Sequence, residues 1–466
     1  MAENQWQRKQ SNNARELVLQ MINEVLEEGK LSHIVMKRHL DGMNDTEENR
    51  KNKAFMTRLV LGTIEKKLTL DYVINCYSKI RTEKMKPVIR GILRMSVYQI
   101  LFMESVPDSA SCNEAVKLAK AHKFTSLAPF VNGVLRTIGR EKENIRYPDE
   151  NMDFYGALEV LYSVPKWMIE LLERENGREN MRKMLSSLED RQQKISFRIN
   201  TSKASMAEVM KRIAQEASDL RVQEISLARD MISISGVGEL NRLSAFREGY
   251  MQVQDISSAL VAQISGVKKG NFCMDLCAAP GGKTIHLADL MEGTGRVLAR
   301  DITGEKTALI EENVKRCGFH NIITEVWDAT IMDETSIGKA DVVLVDAPCS
   351  GLGVIGHKAD IRYRLKQEDI KELAEISKKI LACAVKYLKP GGILIFSTCT
   401  MTKTENDDNR QWLLENFNLE PADITPYLSE ELLAIGDNRE TAKDGYLKLM
   451  LSDQYDGFYI SKMYMK

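Results

Sequence analysis

Apolar positions recur every three to four residues from about Ala14 to Glu141. Leu17, Val18, Met21, Ile22, Val25 and Leu26 form one stripe at helical spacing, closed by Gly29. Similar stripes run through Phe55–Ile64, Leu70–Tyr77 and Val88–Leu101, the last following Pro87 at a helix start. Pro107-Asp108 and Ser111 introduce a further helix over Cys112–His122. Thr125 or Ser126 is placed to cap a final one carrying Phe130, Val131, Val134, Leu135 and Ile138. The pattern predicts an all-α domain of roughly six or seven helices.

The rhythm changes near Asn144–Asp153, where Tyr147-Pro148-Asp149 reads as a linker. Two helices follow, one opened by Pro165. Lys194–Asn200 then alternates as a strand, Met206–Ala217 is helical, and Met231–Ser235 is strand-like again. After Gly249 short apolar runs alternate with longer helical ones. Candidate strands are Met251–Gln254, Phe272–Leu276, Arg296–Ala299, Ile322–Val326, Val342–Val345, Ile393–Phe396 and Phe458–Met463. Candidate helices are Lys283–Met291, Glu305–Cys317 and Gln367–Leu388. That order implies a mostly parallel, doubly wound sheet. The chain divides at about 1–145, 146–240 and 241–466: an all-α domain, a small α/β domain and a Rossmann-like α/β domain.

The 466 residues suit about three domains, and 43% hydrophobic with 28% charged residues fits a globular chain. MAENQWQRKQ lacks the apolar core of a signal peptide, and the longest uncharged apolar run, Met95–Met103, is too short to cross a membrane. A cytoplasmic protein is expected. Net charge is −1, but residues 1–150 hold 25 Lys/Arg against 19 Asp/Glu, a local +6 that leaves −7 elsewhere. A basic first third fits an anionic partner or ordinary surface variation. The eight cysteines include no C-x-x-C pair and no accompanying His cluster, so no metal site is expected. Cys76, Cys273, Cys317 and Cys383 read as small core residues.

The chemistry concentrates at strand ends. DLCAAPGGKT (Asp275–Thr284) joins a strand to a helix. Gly281 and Gly282 would let a ligand approach the backbone at the new helix's N–H groups. The loop is neither G-x-G-x-x-G nor G-x-x-x-x-G-K-[ST]. Asp275, Asp301, Asp328 and Asp346 end successive strands; carboxylates there would repel phosphates yet suit a sulfonium cation and ribose hydroxyls. The charge pattern favours S-adenosyl-L-methionine, although any single strand-end Asp could be a turn former. VLVDAPCSG (Val343–Gly351) and ILIFSTCTMT (Ile393–Thr402) each present a cysteine at a strand's carboxyl end, where α/β sheets do their chemistry.

Together DLCAAPGGKT, VDAPCSGLG and FSTCTMTKTEND resemble the motif set of the RNA cytosine-C5 methyltransferases, the Fmu/Sun/NSUN group. GYMQVQDISSALVA (Gly249–Ala262) and DGFYISKM (Asp456–Met463) match its flanks. YSVPKWMIELLE (Tyr162–Glu173) and SFRINTSK (Ser196–Lys203) also look like that family. VPDSASCNEAVKLAK (Val106–Lys120) and PFVNGVLRTIGRE (Pro129–Glu141) resemble NusB. A NusB-like domain ahead of the catalytic domain is the arrangement of the family's bacterial small-subunit rRNA branch.

The resemblance implies a NusB-like RNA-binding domain, an RNA-recognition-like middle domain and a methyltransferase domain acting on 16S rRNA, naked or early in assembly. It implies S-adenosyl-L-methionine held by Cys277, Ala278, Ala279, Pro280, Gly281, Gly282, Lys283, Asp301, Asp328 and Asp346, with no metal and no membrane. Cytosine C5 is too weak a nucleophile to take a methyl group unaided, and a thiolate adding to C6 activates it. By resemblance Cys399 attacks C6, Cys349 assists release, and Asp346 holds the base's N3/N4 edge. DNA cytosine methyltransferases attack with the Pro-Cys thiol, but cysteine at both positions and RNA-type flanks assign the attack to Cys399. Transfer RNA as substrate, and a non-catalytic antitermination factor, are the alternatives. Candidate RNA contacts in the middle domain are Lys194, Arg198 and Lys203. The chain departs from the family at Lys358-Ala359, where His-Pro is usual in a loop near the target base, at Arg300, and at Thr400.

Overall fold

The computed structural model describes residues 14–43, 46–189, 194–238 and 240–466. They separate into two compact units: the chain up to Arg174 together with His357–Leu365, and Glu175–Gly356 together with Lys366–Lys466. The first thus runs past the linker at 144–153. The small antiparallel sheet described below runs to Val253, past residue 240.

The first unit has no strand among its described residues. Its helices span Ala14–Leu26, Ser32–Leu40, Glu47–Glu65, Lys67–Tyr77, Pro87–Phe102, Asp108–Ala121, Ala128–Glu141 and Phe154–Tyr162, with Lys166–Asn176 crossing its boundary. Leu19, Ile22, Met56, Leu59, Leu93 and Leu135 form the buried heart. Ser32–Leu40 escapes the sequence pattern because it buries only Ser32 and Val35 and ends in Lys37, Arg38 and His39. The caps also differ from expectation. Thr125 lies in a 3₁₀ turn ahead of the last long helix, and neither it nor Ser126 caps that helix. Arg94 is buried here, and its guanidinium donates twice to Asp71 at 2.7 Å, which pairs its charge.

His357–Leu365 is a catalytic-half segment that completes this helical unit. Ser32 donates its hydroxyl to Asp360 at 2.7 Å, and Arg362, buried, donates to the carbonyls of Glu65 and Tyr162. Ala359 and Tyr363 pack on the helical core. The Lys358-Ala359 departure therefore falls within this packing.

In the second unit β1 (Lys194–Ile199), β2 (Arg221–Glu224), β3 (Met231–Ser235) and β4 (Met251–Val253) form an antiparallel sheet in the order β2-β3-β1-β4. β4 pairs with β1 at Phe197–Val253, so the Met251 strand belongs to this small sheet and not to the parallel one. β2 was not foreseen: its sequence, RVQE, buries no residue fully and offers no apolar signal. A Ser205/Glu208 capping box opens the helix Met206–Glu216, whose Val209 and Ile213 pack with Phe197, Ile232 and Ile234.

The large sheet comprises β5 (Phe272–Asp275), β6 (Arg296–Asp301), β7 (Ile322–Val326), β8 (Ala340–Asp346), β9 (Leu388–Thr398), β10 (Leu419–Pro421), β11 (Tyr446–Leu449) and β12 (Phe458–Met465). Its order is β10-β12-β9-β8-β5-β6-β7, with β11 also on β12. β5 to β9 run parallel to one another, while β12 pairs antiparallel with β9, β10 and β11. Ile256–Ser265 and Gly282–Leu290 contribute to the core on one face, Gln367–Tyr387 and Asp407–Asn416 to that on the other. This is the expected doubly wound, Rossmann-like architecture. No described helix is long and apolar enough to cross a membrane.

Candidate active site

The glycine-rich loop leaves β5 and enters a helix at Gly282. Gly281 caps that helix at φ +100°, a conformation that costs other residues, and its N–H closes onto the Ala278 carbonyl at 2.7 Å. Ala279-Pro280 is cis. A Cβ on Gly282 would reach ordinary contact with the Gln254 amide at 3.9 Å, and the N–H groups of the helix's first turn have no intrahelical partners. Asp301 braces the loop from β6: one carboxylate oxygen accepts the Ala279 N–H at 3.0 Å, the other the Ile302 N–H and the Lys306 ammonium. A ribose hydroxyl can use the remaining lone pair of the first oxygen or displace Lys306, which is half exposed.

Asp275 lies deeper, 1% exposed. Thr284 donates to one oxygen at 2.6 Å, while the other has no partner. Burial, reinforced by the nearby Asp346 charge, pushes its carboxyl up to about 7. Asp328 stands past the end of β7, tied by one oxygen to the N–H and hydroxyl of Thr330 in an Asx turn. Burial pushes the Cys277 thiol far up, against thiolate chemistry there.

The two catalytic motifs meet because β8 and β9 are parallel neighbours with Asp346 opposite Ser397. Cys349 and Cys399 then leave their strands side by side, with sulfurs 3.3 Å apart. Ser397 donates to one oxygen of Asp346 at 2.8 Å, and the Lys283 ammonium sits 2.6 Å from the other. Burial works against the charge of Lys283, but Asp346 outweighs it and raises the lysine's pKa; the ammonium also faces the Phe458 ring at 5.2 Å. The hydrogen bond with Cys399 and then burial push the Cys349 thiol well up, and either sulfur can donate across the contact.

The backbone behind the thiols is equally tight. The Gly353 N–H donates to the Cys399 carbonyl and the Gly457 N–H to the Gly353 carbonyl, both at 2.9 Å. A Cβ on Gly353 would lie 1.8 Å from the Gly457 oxygen, which explains the glycines of the Pro-Cys and terminal motifs together. Ser350, Thr400, Thr402 and Glu405 form a buried polar cluster beside the two cysteines. Sequence reasoning assigned Ser397 and Glu405 no role, although both stand in the FSTCTMTKTEND motif.

Of the three candidate RNA contacts in the middle domain, Lys194 and Lys203 are exposed. Arg198 is fully buried, donating to Gln254 and paired with Asp289 at 3.1 Å, so it cannot touch RNA. Lys203 gives its ammonium to the carbonyls of Glu248 and Cys317. Cys273, Cys317 and Cys383 are buried as expected, whereas Cys76 is exposed; no disulfide links any of the eight. Among the described residues no cluster of His, Cys, Asp or Glu could hold a metal ion.

Residues 262–464 match the 16S rRNA methyltransferase RsmB/F family, and residues 12–140 match the NusB family. A probable ribosomal RNA small subunit methyltransferase B of Bacillus subtilis (strain 168) is 34% identical over 97% of this chain and 98% of its own length. The solved structure of PH0851 superposes with a TM-score of 0.78 at 26% identity, covering 96% of this chain and 98% of that one. NSun6 from Pyrococcus horikoshii, solved with SFG, shares the fold at a TM-score of 0.57 and 21% identity, over 65% of this chain and 98% of its own.

Proposed function

The chain belongs to the RsmB/F family of S-adenosylmethionine-dependent small-subunit rRNA methyltransferases, and we propose that it forms 5-methylcytosine through a covalent cysteine–cytosine adduct. The observation that carries this reading is the pair of thiols 3.3 Å apart beside the Lys283–Asp346 ion pair. S-adenosylmethionine supplies an electrophilic methyl group. The helix N-terminus after Gly281-Gly282 and the strand-end carboxylates fit it: backbone N–H groups for a nucleoside and negative charge for a sulfonium.

The target cytosine must leave any stack to reach the sulfurs. Cys399, 3.3 Å from the Cys349 sulfur, adds to C6 as its thiol proton passes to the ring N3, which makes C5 nucleophilic. Asp346, fixed by Ser397 and Lys283, accepts from the base's N4 amino group, and the Lys283 charge offsets the electron density that builds on the ring. After methyl transfer Cys349 gives its proton to the Cys399 sulfur as the C6–S bond breaks, and the Cys349 thiolate so formed takes the C5 proton, restoring both thiols while the ring N3 proton returns to solvent. The preferred substrate is naked or early-assembly 16S rRNA, in which a cytosine can still be turned out.

Methyl transfer to 16S rRNA from a strain lacking the gene, with nucleosides resolved by mass spectrometry, tests this. We expect 5-methylcytosine at one position and less product on assembled 30S subunits. Methyl groups on a sugar, on another base or on transfer RNA alone would overturn it.

A further inference from the structure

Glu405 has no part in the chemistry above, yet it is 1% exposed and bound into both thiol loops. One carboxylate oxygen accepts the backbone N–H of Ser350, the residue after Cys349, at 2.7 Å. The other accepts the hydroxyls of Ser350 and Thr402, also at 2.7 Å. The Ser350 hydroxyl is in turn 2.7 Å from that of Thr400, the residue after Cys399. A carboxylate needed only to turn its own loop would be satisfied by Thr402; reaching 55 residues away to a backbone N–H is a tie between loops.

Burial opposes the charge on Glu405 and raises its pKa, while the Ser350 and Thr402 hydrogen bonds pull the other way. A buried polar network holds a unique geometry only when its members are satisfied, and here the carboxylate's oxygens and three hydroxyls close on one another. Asn406 extends the frame: it takes the Thr398 hydroxyl at 2.5 Å and donates to the Thr400 carbonyl at 3.0 Å. Both turns that carry the sulfurs are thus fastened at the residue next to the cysteine.

We propose that Glu405 is a positioning residue that locks the Cys349 and Cys399 turns together and sets the sulfur–sulfur spacing required for the two thiols to act on one cytosine. This rests on the thiol chemistry proposed above. It acts through hydrogen bonds, with no contact to the base, so an uncharged side chain of the same shape can serve.

The test pairs kinetics with a direct reading of the sulfurs in the full chain. Glu405→Ala should lower kcat about 30-fold, the scale for misplacing reacting groups, with KM for RNA and S-adenosylmethionine within about twofold. Glu405→Gln, which can accept the Ser350 N–H and donate to the hydroxyls, should recover kcat to within about threefold. Without RNA or cofactor, hydrogen peroxide takes two electrons and two protons from the thiol pair, giving one S–S bond and two waters. Mass spectrometry of the Cys349–Cys399 peptide pair should show this slowed about tenfold in Glu405→Ala and normal in Glu405→Gln. Normal pairing in Glu405→Ala, or a Gln variant as impaired as Ala, would overturn the proposal. Should Glu405→Ala fail to fold, Ser350→Ala decides: about fivefold lower kcat and slower pairing are expected, and no change in either overturns it. The pairing assay is independent of turnover, so full activity in Cys399→Ala would sink the thiol mechanism and leave this result readable.

Discussion

Asp275, at the carboxyl ends of the large sheet, stands in the opposite condition to two acidic residues toward its amino ends. Toward the amino ends, Asp341 takes the Phe272 N–H at 2.7 Å and the Lys389 ammonium at 2.9 Å; burial works against its charge, but these partners hold its carboxyl below the ordinary range. Asp333, on the loop into β8, is closed in the same way by Thr335, Ser336 and Arg300, against burial, and is also held down. At the carboxyl ends Asp275 keeps an oxygen without a partner and rises to about 7, and the Cys349 thiol is pushed up. A hollow of about 650 Å³ lies between Arg296, Lys339 and Lys389 near the amino ends, yet size alone marks no chemistry. The unpartnered oxygen of Asp275 and the raised Cys349 thiol set the carboxyl ends apart from the two closed carboxylates.

Four substitutions sharpen or break this contrast. Asp346→Ala removes the partner of both Lys283 and Ser397 and should lower single-turnover methyl transfer by ~10²–10³; activity within tenfold would place the ring's charge stabilisation elsewhere. Asp275 binds its proton in the folded state up to about 7 but releases it near 3.8 when unfolded. Between those values the folded state holds more protons, so stability falls as pH rises through the window. Calorimetry should show the Tm of Asp275→Asn rising relative to that of the parent protein from pH 4 to 8; a constant difference would show that Asp275 does not titrate in this window.

Asp301→Ala should weaken S-adenosylmethionine binding by ~1–3 kcal/mol, because it loses both the loop brace and a ribose acceptor. Titration calorimetry reading unchanged affinity would remove Asp301 from the site. The smallest effect belongs to the other end of the sheet. Asp341→Asn should cost about 1 kcal/mol of stability in denaturant melts and leave methyl transfer within about twofold. A large loss of activity there would erase the distinction between the ends.

The sequence made the strand-end chemistry legible because its parts are local: the Gly281-Gly282 loop, the Pro-Cys and Thr-Cys turns and the acidic strand ends each sit within a few residues. What joins them was not legible. The 3.3 Å spacing and the Ser397–Asp346 bond depend on β8 and β9 lying side by side, a pairing that no periodicity encodes. Arg198 alternates like a surface strand residue, but Asp289, on a helix 91 residues away, draws it into the interior. The same tertiary pairing moved β4 to the small sheet and gave His357–Leu365 to the helical unit.

The division of labour between the thiols is the central claim, and trapping the RNA adduct tests it most directly. Cys349→Ala should methylate cytosine and fail to release it, leaving RNA covalently held through Cys399 as a shifted band on a denaturing gel. Cys399→Ala should give neither adduct nor product. An adduct from Cys399→Ala with none from Cys349→Ala would contradict the account and make Cys349 the nucleophile.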